Sequence, residues 1–247
     1  MNVGRSCMPT KPPNLSSGDL IAEIIPLTGN VPDSINSPLE RLGGFVDYFL
    51  KPGMQDLPTF IQDTKHVLQI IEELNTQIDK GEVSLDGVGL VALDIESMYS
   101  NMSEELGNGA SKQFLESRNG RGARDDVTTG SILKALDLCV RNNYFKFNEQ
   151  VYQQTGGVGT GIKYAPPYAC LGVGKYEELL FKSDQQLLEL IILWKRYIDD
   201  VFMLFGGTED QCQELVDWLN SLMPGVIKFK FQYSKKKNRI FGFRNKD

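Results

Sequence analysis

The sequence predicts an α+β fold whose strands and helices follow one another as β-α-β-β-α-β, the ferredoxin-like order. Three observations predict it. Gly87 to Leu93 form a nearly continuous apolar run ending in Asp94, which reads as a central strand covered on both faces. Trp194 to Phe205 hold two short runs of aromatic and β-branched residues around Asp199 and Asp200, which reads as strand, tight turn, strand. Ile227, Phe229, Phe231 and Tyr233 alternate with Lys228, Lys230 and Gln232, the period of a strand with one buried and one basic face. In that order the first strand and the hairpin can lie side by side, so that Asp94 and Asp199 meet.

Residues 1–36 are rich in Pro, Ser, Gly and Asn and read as an irregular segment. Ser37-Pro38-Leu39-Glu40 is a capping box with Pro at the first helical position, and Leu42, Phe45, Val46 and Phe49 recur on one face as far as Pro52. A second helix is expected from about Pro58 to Ile78, with Val67, Ile71, Leu74 and Ile78 at helical spacing and His66 at the surface or boundary. Beyond Asp94, Ser103 is placed to cap a helix opening on Glu104 and Glu105. Ser117 to Thr129 reads as an exposed linker, and another helix covers about Ser131 to Asn142. Tyr144 to Phe147 and Val151 to Gln154 make a small hairpin. After the glycine segment Gly156 to Gly161, Tyr164 to Ala169 open a helix reaching about Phe181. Thr208-Glu209-Asp210-Gln211 is a second capping box, for a helix with Leu215, Leu219 and Leu222 on one face and a stop at Pro224-Gly225.

With 247 residues and 41% hydrophobic content, the chain can bury a core as one large domain or two small ones. Its four cysteines, Cys7, Cys139, Cys170 and Cys212, are widely spaced and His66 is the single histidine, so neither a zinc site nor a disulfide framework is supported. No apolar run approaches the roughly 18 residues of a membrane helix, and Met1 to Pro13 lack the apolar core of a secretion signal. A soluble, intracellular protein, nuclear or cytoplasmic and not secreted, is expected. The net charge of −6 is unevenly spread: from Ser221 onward eight cations accompany the single Asp247, leaving +7 there and −13 elsewhere. That basic stretch is either a phosphate-contacting edge or a solvated tail.

Single signals are weak. An Asp-Asp hairpin tip alone is most often a solvated turn, and the glycine segment is either a plain loop or a backbone that hugs a template or base. It is not a phosphate-binding P-loop, because no Gly-Lys-Ser/Thr follows. Two acidic strand ends on one sheet, however, would make the metal site of a nucleotidyl-transfer palm.

Leu93-Asp94 through Tyr99-Ser100-Asn101, the Gly156 to Ala169 segment and Trp194 through Val201 resemble successive core motifs of reverse transcriptases, most closely those of Penelope-like retroelements. Ser37 to Arg41, Phe45 to Tyr48, Asn142 to Phe145 and Phe229 to Ser234 are similar to that family as well, so the resemblance covers about 35–235. It implies a right-hand polymerase with partial fingers helices over 37–87, a palm with inserted fingers elements over 88–235 and a basic tail over 236–247, the thumb being absent. The place of the family's Arg-Pro-Ile-Val type segment reads Leu27 to Pro32, without a cation.

The implied activity is RNA-directed DNA synthesis on an RNA template from a DNA primer and deoxynucleoside triphosphates, without a membrane partner. Asp94 and Asp199 would hold two Mg²⁺ ions, with Mn²⁺ a possible substitute, and Asp200 would be the accessory carboxylate. Tyr99 matches the family's aromatic gate against a ribose 2′-hydroxyl. Gln154, Gly156, Gly159 and Thr160 would lie under the templating pair and incoming base, and Tyr197 near the primer end. Lys228, Lys230, Lys235, Lys236 and Lys237 would contact nucleic-acid phosphates. The alternative is a catalytically silent retroelement remnant that at most binds nucleic acid through its basic end.

Overall fold

The strands and helices appear in a computed structural model that describes residues 39–84, 87–117, 127–147 and 150–235. In order they are α1 (Glu40–Gln55), α2 (Thr64–Asp79), β1 (Gly89–Ile95), the single turn α3 (Met98–Asn101), α4 (Glu104–Ser117), α5 (Thr129–Arg141), β2 (Tyr144–Phe147) and β3 (Gln150–Gln153). There follow α6 (Ala165–Phe181), a 3-10 turn at Gln186–Leu190, β4 (Ile191–Tyr197), β5 (Asp200–Phe205), α7 (Glu209–Leu222) and β6 (Phe229–Lys235). None of these helices is long and apolar enough to cross a membrane, among the described residues.

Two compact units result. The first takes Tyr99–Gly172 with the residues up to Gly53, and the second takes Met54–Met98 with those from Val173 onward. In the first unit the close approach of α4 and α6 depends on Gly107, where a methyl group would fall inside the Tyr168 ring. Tyr168 and Tyr164 are both buried and meet edge to face at 6.1 Å.

The second unit is built on a sheet with strand order β4-β5-β1-β6, every neighbouring pair antiparallel. Relabelled by sequence this is the 4-1-3-2 order of a ferredoxin-like sheet, as the element order predicts. Trp194, Met203 and Val91 share a buried row on one face, where Trp194 packs between Phe181 of α6 and Phe229 of β6. Across that face the Tyr176 hydroxyl of α6 donates to the Leu219 carbonyl of α7 at 2.8 Å.

The opposite face is only partly covered, which corrects the expectation of a strand buried on both sides. Leu74 of α2 packs with Val88, Leu90, Leu193, Phe202 and Leu204 at one end of that face. Farther along β1, Ala92 and Asp94 are exposed while Val91, Leu93 and Ile95 are buried. Ala92 is small and apolar, so it lengthens a hydrophobic run in sequence without requiring cover.

Several boundaries also differ. Pro52 lies inside α1, which continues past it and ends at Gln55. The Ser37-Pro38 part of the first capping box lies outside the described residues. Helix α2 starts at Thr64 rather than near Pro58, capped by Asp63, whose side chain accepts from the His66 amide at 2.8 Å. The residues between are committed to the edge of β4: the Arg196 amide donates to the Thr59 carbonyl and the Ile61 amide to the Arg196 carbonyl, each at 2.7 Å. A backbone bridging a strand there cannot also be the first turn of a helix. The second capping box forms as read, with Thr208 and Gln211 satisfying each other's amides.

Candidate functional site

Strand register builds the site in the second unit. Asp94 is the partner of Asp200 on β5 and of Lys230 on β6, and Asp200 is the partner of Tyr197 on β4. Residues directly opposite one another on a sheet point to the same side, so Tyr197, Asp200, Asp94 and Lys230 form one row across all four strands. All four are exposed, on the face α2 leaves open.

Asp199 sits beside this row in the two-residue turn between Tyr197 and Asp200. Its carbonyl accepts from the Ile95 amide at 3.0 Å, tying the turn to the end of β1. The other turn residue, Ile198, has a φ of 54°. A left-handed conformation is uncommon for any side chain and costly for a β-branched one. A positive φ at the first turn position alone is the sign pattern of a type II′ turn, which suits the twist of a hairpin.

The charges are crowded. Partial burial first, and then the neighbouring carboxylates Asp199, Asp200 and Glu96, raise the Asp94 carboxyl above its ordinary value, with Lys230 opposing. Glu96, one residue beyond β1, forms ion pairs with Lys228 at 2.8 Å and with Lys230. The two lysines hold the Glu96 carboxyl below the usual range. Among the described residues no three His, Cys, Asp or Glu side chains converge to hold a metal ion. The carboxylates thus share one end of the sheet without closing on a common point.

A second group lies in the first unit. Tyr99, half-buried in α3, accepts through its carbonyl from the Val158 amide at 2.8 Å, which brings it against the glycine segment. Gly157 makes that approach possible: its φ is 69°, and an added Cβ would lie 2.5 Å from the Ser100 carbonyl oxygen. The Gln154 side chain accepts from the Asn143 amide group at 2.6 Å and donates to the Gly156 carbonyl at 2.8 Å. Gly159 packs against the Asn143 side chain as well, whereas Gly156 has open space on its Cβ side and Thr160 is exposed.

The predicted residues therefore fall into two groups, each within its own unit. Lys235 is exposed at the end of β6, and Lys236 and Lys237 lie outside the described residues. Sequence reasoning missed Asn143, which ties Gln154 to Gly159, and Glu177, a buried carboxylate on α6. A charge inside the run from Ala169 to Leu180 was the available signal for Glu177, masked by Lys175, Glu178 and Lys182 around it.

No protein-family model and no curated protein sequence matches the chain. Solved structures do share the fold. Telomerase from Candida albicans with a TWJ fragment of telomeric RNA superposes with a TM-score of 0.59 at 12% identity, over 81% of this chain and 36% of that one. Apo telomerase from Candida tropicalis, truncated from its C-terminal domain, gives 0.58 at 12% identity, over 90% of this chain and 44% of that one. Another apo telomerase structure from Candida tropicalis gives 0.59 at 13% identity, over 81% and 37%. The chain thus spans less than half the length of each. Likeness at this identity establishes an α+β, telomerase-like fold and leaves activity to the site.

Proposed function

We propose that the chain is the palm and part of the fingers of an RNA-directed DNA polymerase, a reverse transcriptase of the Penelope-like retroelement kind. One observation carries the reading: Asp94 and Asp200 are paired across the ladder, beside Asp199, on the open face of a telomerase-like sheet. Telomerase is itself a reverse transcriptase, and a palm for nucleotidyl transfer needs carboxylates from two strand ends.

The donor set fits Mg²⁺, which takes oxygen ligands and retains part of its water shell, so that an open carboxylate cluster suffices before substrate arrives. Desolvation first and repulsion from the neighbouring carboxylates second raise Asp94, and the repulsion is what a divalent cation relieves. Asp94 and Asp199 would hold the two ions, with Asp200 as accessory carboxylate and Mn²⁺ as a substitute. When bound, such ions acidify a primer 3′-hydroxyl and stabilise charge on the attacking and leaving oxygens.

The protein's own residues position the reactants. Tyr197, 48% exposed and stacked on Phe60 with centroids 6.5 Å apart, offers a ring beside the acidic row for the primer end. Tyr99 would crowd a ribose 2′-hydroxyl and favour deoxynucleotides. Gln154, Gly156, Gly159 and Thr160 would lie under the template and incoming base. Lys228, Lys230, Lys235, Lys236 and Lys237 would meet phosphates.

Primer extension on an RNA template with Mg²⁺ or Mn²⁺ tests this. Product that disappears in Asp199→Asn supports the reading; no extension, or extension indifferent to that substitution, overturns it. The exposed lysines of edge strand β6 favour a second reading, a catalytically silent remnant that binds nucleic acid. It predicts salt-dependent binding of RNA–DNA hybrids that Asp199→Asn leaves unchanged.

A further inference from the structure

Directly behind the acidic turn lies a buried ion pair. Arg196 is 0% exposed and Glu177 2%, so both charges have left water. The Glu177 carboxylate accepts four hydrogen bonds: from Arg196 Nε at 2.8 Å and Nη2 at 3.0 Å, from the Trp194 indole at 2.9 Å, and from the Thr59 hydroxyl at 2.6 Å. That fills its lone-pair directions. The Arg196 backbone is fixed too, bridged on both sides to residues 59–61.

A buried pair of this kind contributes little net stability, because desolvation offsets most of the attraction. What it supplies is a rigidly aimed guanidinium. Nη1 of Arg196 donates to the Ile198 carbonyl at 2.9 Å. Ile198 is the residue held at positive φ, and a strained backbone persists only where its surroundings over-determine it.

We propose that Glu177 and Arg196 are positioning residues that clamp the Ile198–Asp199 turn and so fix where Asp199 and Asp200 present their carboxylates. The functional consequence rests on the reading of this turn as a metal-binding element. Arg196→Lys keeps the charge but loses the planar fork that reaches Glu177 and Ile198 together. Glu177→Gln combined with Arg196→Met removes both charges and leaves neither one stranded.

Circular dichroism first establishes which variants fold. In those that do, amide hydrogen exchange at Asp200, and at Ile95, whose amide is bonded to the Asp199 carbonyl of the turn, quickens by about 10-fold or more, while Met203 and Leu204 in the same strand as Asp200 stay protected. Mn²⁺ affinity, read by electron paramagnetic resonance, weakens by about 10-fold or more, as for other residues that orient metal ligands. In Asp199→Asn protein, Arg196→Lys costs less Mn²⁺ affinity than it does in the wild type, because the part of its effect that acts through Asp199 is already gone while Asp200 still depends on the clamp. Unchanged exchange at the turn in a folded variant overturns the proposal. So does failure of both variants to fold, which would make the pair a determinant of the fold. If wild-type Mn²⁺ binding is indifferent to Asp199→Asn, the metal reading fails on its own, and turn exchange still decides the positioning role.

Discussion

Asp94 and Asp200 stand directly opposite each other on neighbouring antiparallel strands, two like charges where a sheet ordinarily places complementary ones. Folding raises the Asp94 carboxyl above its ordinary value of 3.8, through desolvation first and its acidic neighbours second. A raised folded-state pKa gives stability that is complete below the unfolded value and lost as pH rises through the folded one. The ionised Asp94 therefore burdens the protein at neutral pH. Asp94→Asn should stabilise the chain at pH 7 without divalent ions, on the order of 0.5 kcal/mol after allowance for solvent screening. The gain should fade as pH falls toward 3.8. Urea unfolding across that range checks it. If Asp94 holds Mg²⁺ as proposed, adding the ion should stabilise the wild type and leave Asp94→Asn unmoved.

Glu96 occupies two lysines that the proposed function assigns to phosphate. With the carboxylate replaced by a neutral amide in Glu96→Gln, Lys228 and Lys230 become available to another anion. Binding of an RNA–DNA hybrid should tighten, and its dependence on salt should steepen by about one to two in the log–log slope, one for each lysine gained. Fluorescence anisotropy at increasing salt measures both. A slope identical to wild type would show that these lysines meet no phosphate.

Helix α7 gives a local test of how its start is set. Thr208 accepts from the Gln211 amide at 3.2 Å, and the Gln211 side chain returns the bond to the Thr208 amide at 2.9 Å. Thr208→Ala should cost about 1 kcal/mol, the usual worth of an N-cap, and lower the melting temperature by a few degrees. Thr208→Ser should lose almost nothing.

That capping box was legible because its signal is local, a spacing of three residues between a hydroxyl and an amide. The strand order was legible for a similar reason: alternation at Ile227 to Tyr233 and the paired runs around Asp199 each show a period within one segment. The start of α2 was not, because what holds Thr59 and Ile61 in an extended backbone is Arg196, more than a hundred residues away. Exposure of Ala92 and Asp94 was hidden because an apolar run does not say how far a covering helix reaches. Glu177 was hidden twice over, by its charged neighbours in sequence and by the distance in sequence to Arg196, Trp194 and Thr59. At the candidate site the carboxylates could be picked out as residue types, but their alignment with Tyr197 and Lys230 is a property of register.

The glycine segment separates structural need from functional need. At Gly157 the backbone has a φ of 69°, and an added Cβ would lie 2.5 Å from the Ser100 oxygen and 2.7 Å from the Tyr99 oxygen. Both neighbours are backbone and cannot swing aside, so Gly157→Ala should destabilise the protein by about 2 kcal/mol or more. At Gly156 nothing lies within 4 Å of the added Cβ. Gly156→Ala should therefore leave stability within about 0.5 kcal/mol of wild type. If that open space is where template or incoming base rests, the same substitution should still impair primer extension, with a raised KM for nucleotide or weaker hybrid binding. Thermal unfolding and extension kinetics on the two alanine variants check both halves. Loss of stability at Gly157 together with full activity at Gly156 would leave the segment a loop shaped to reach Tyr99 and nothing more.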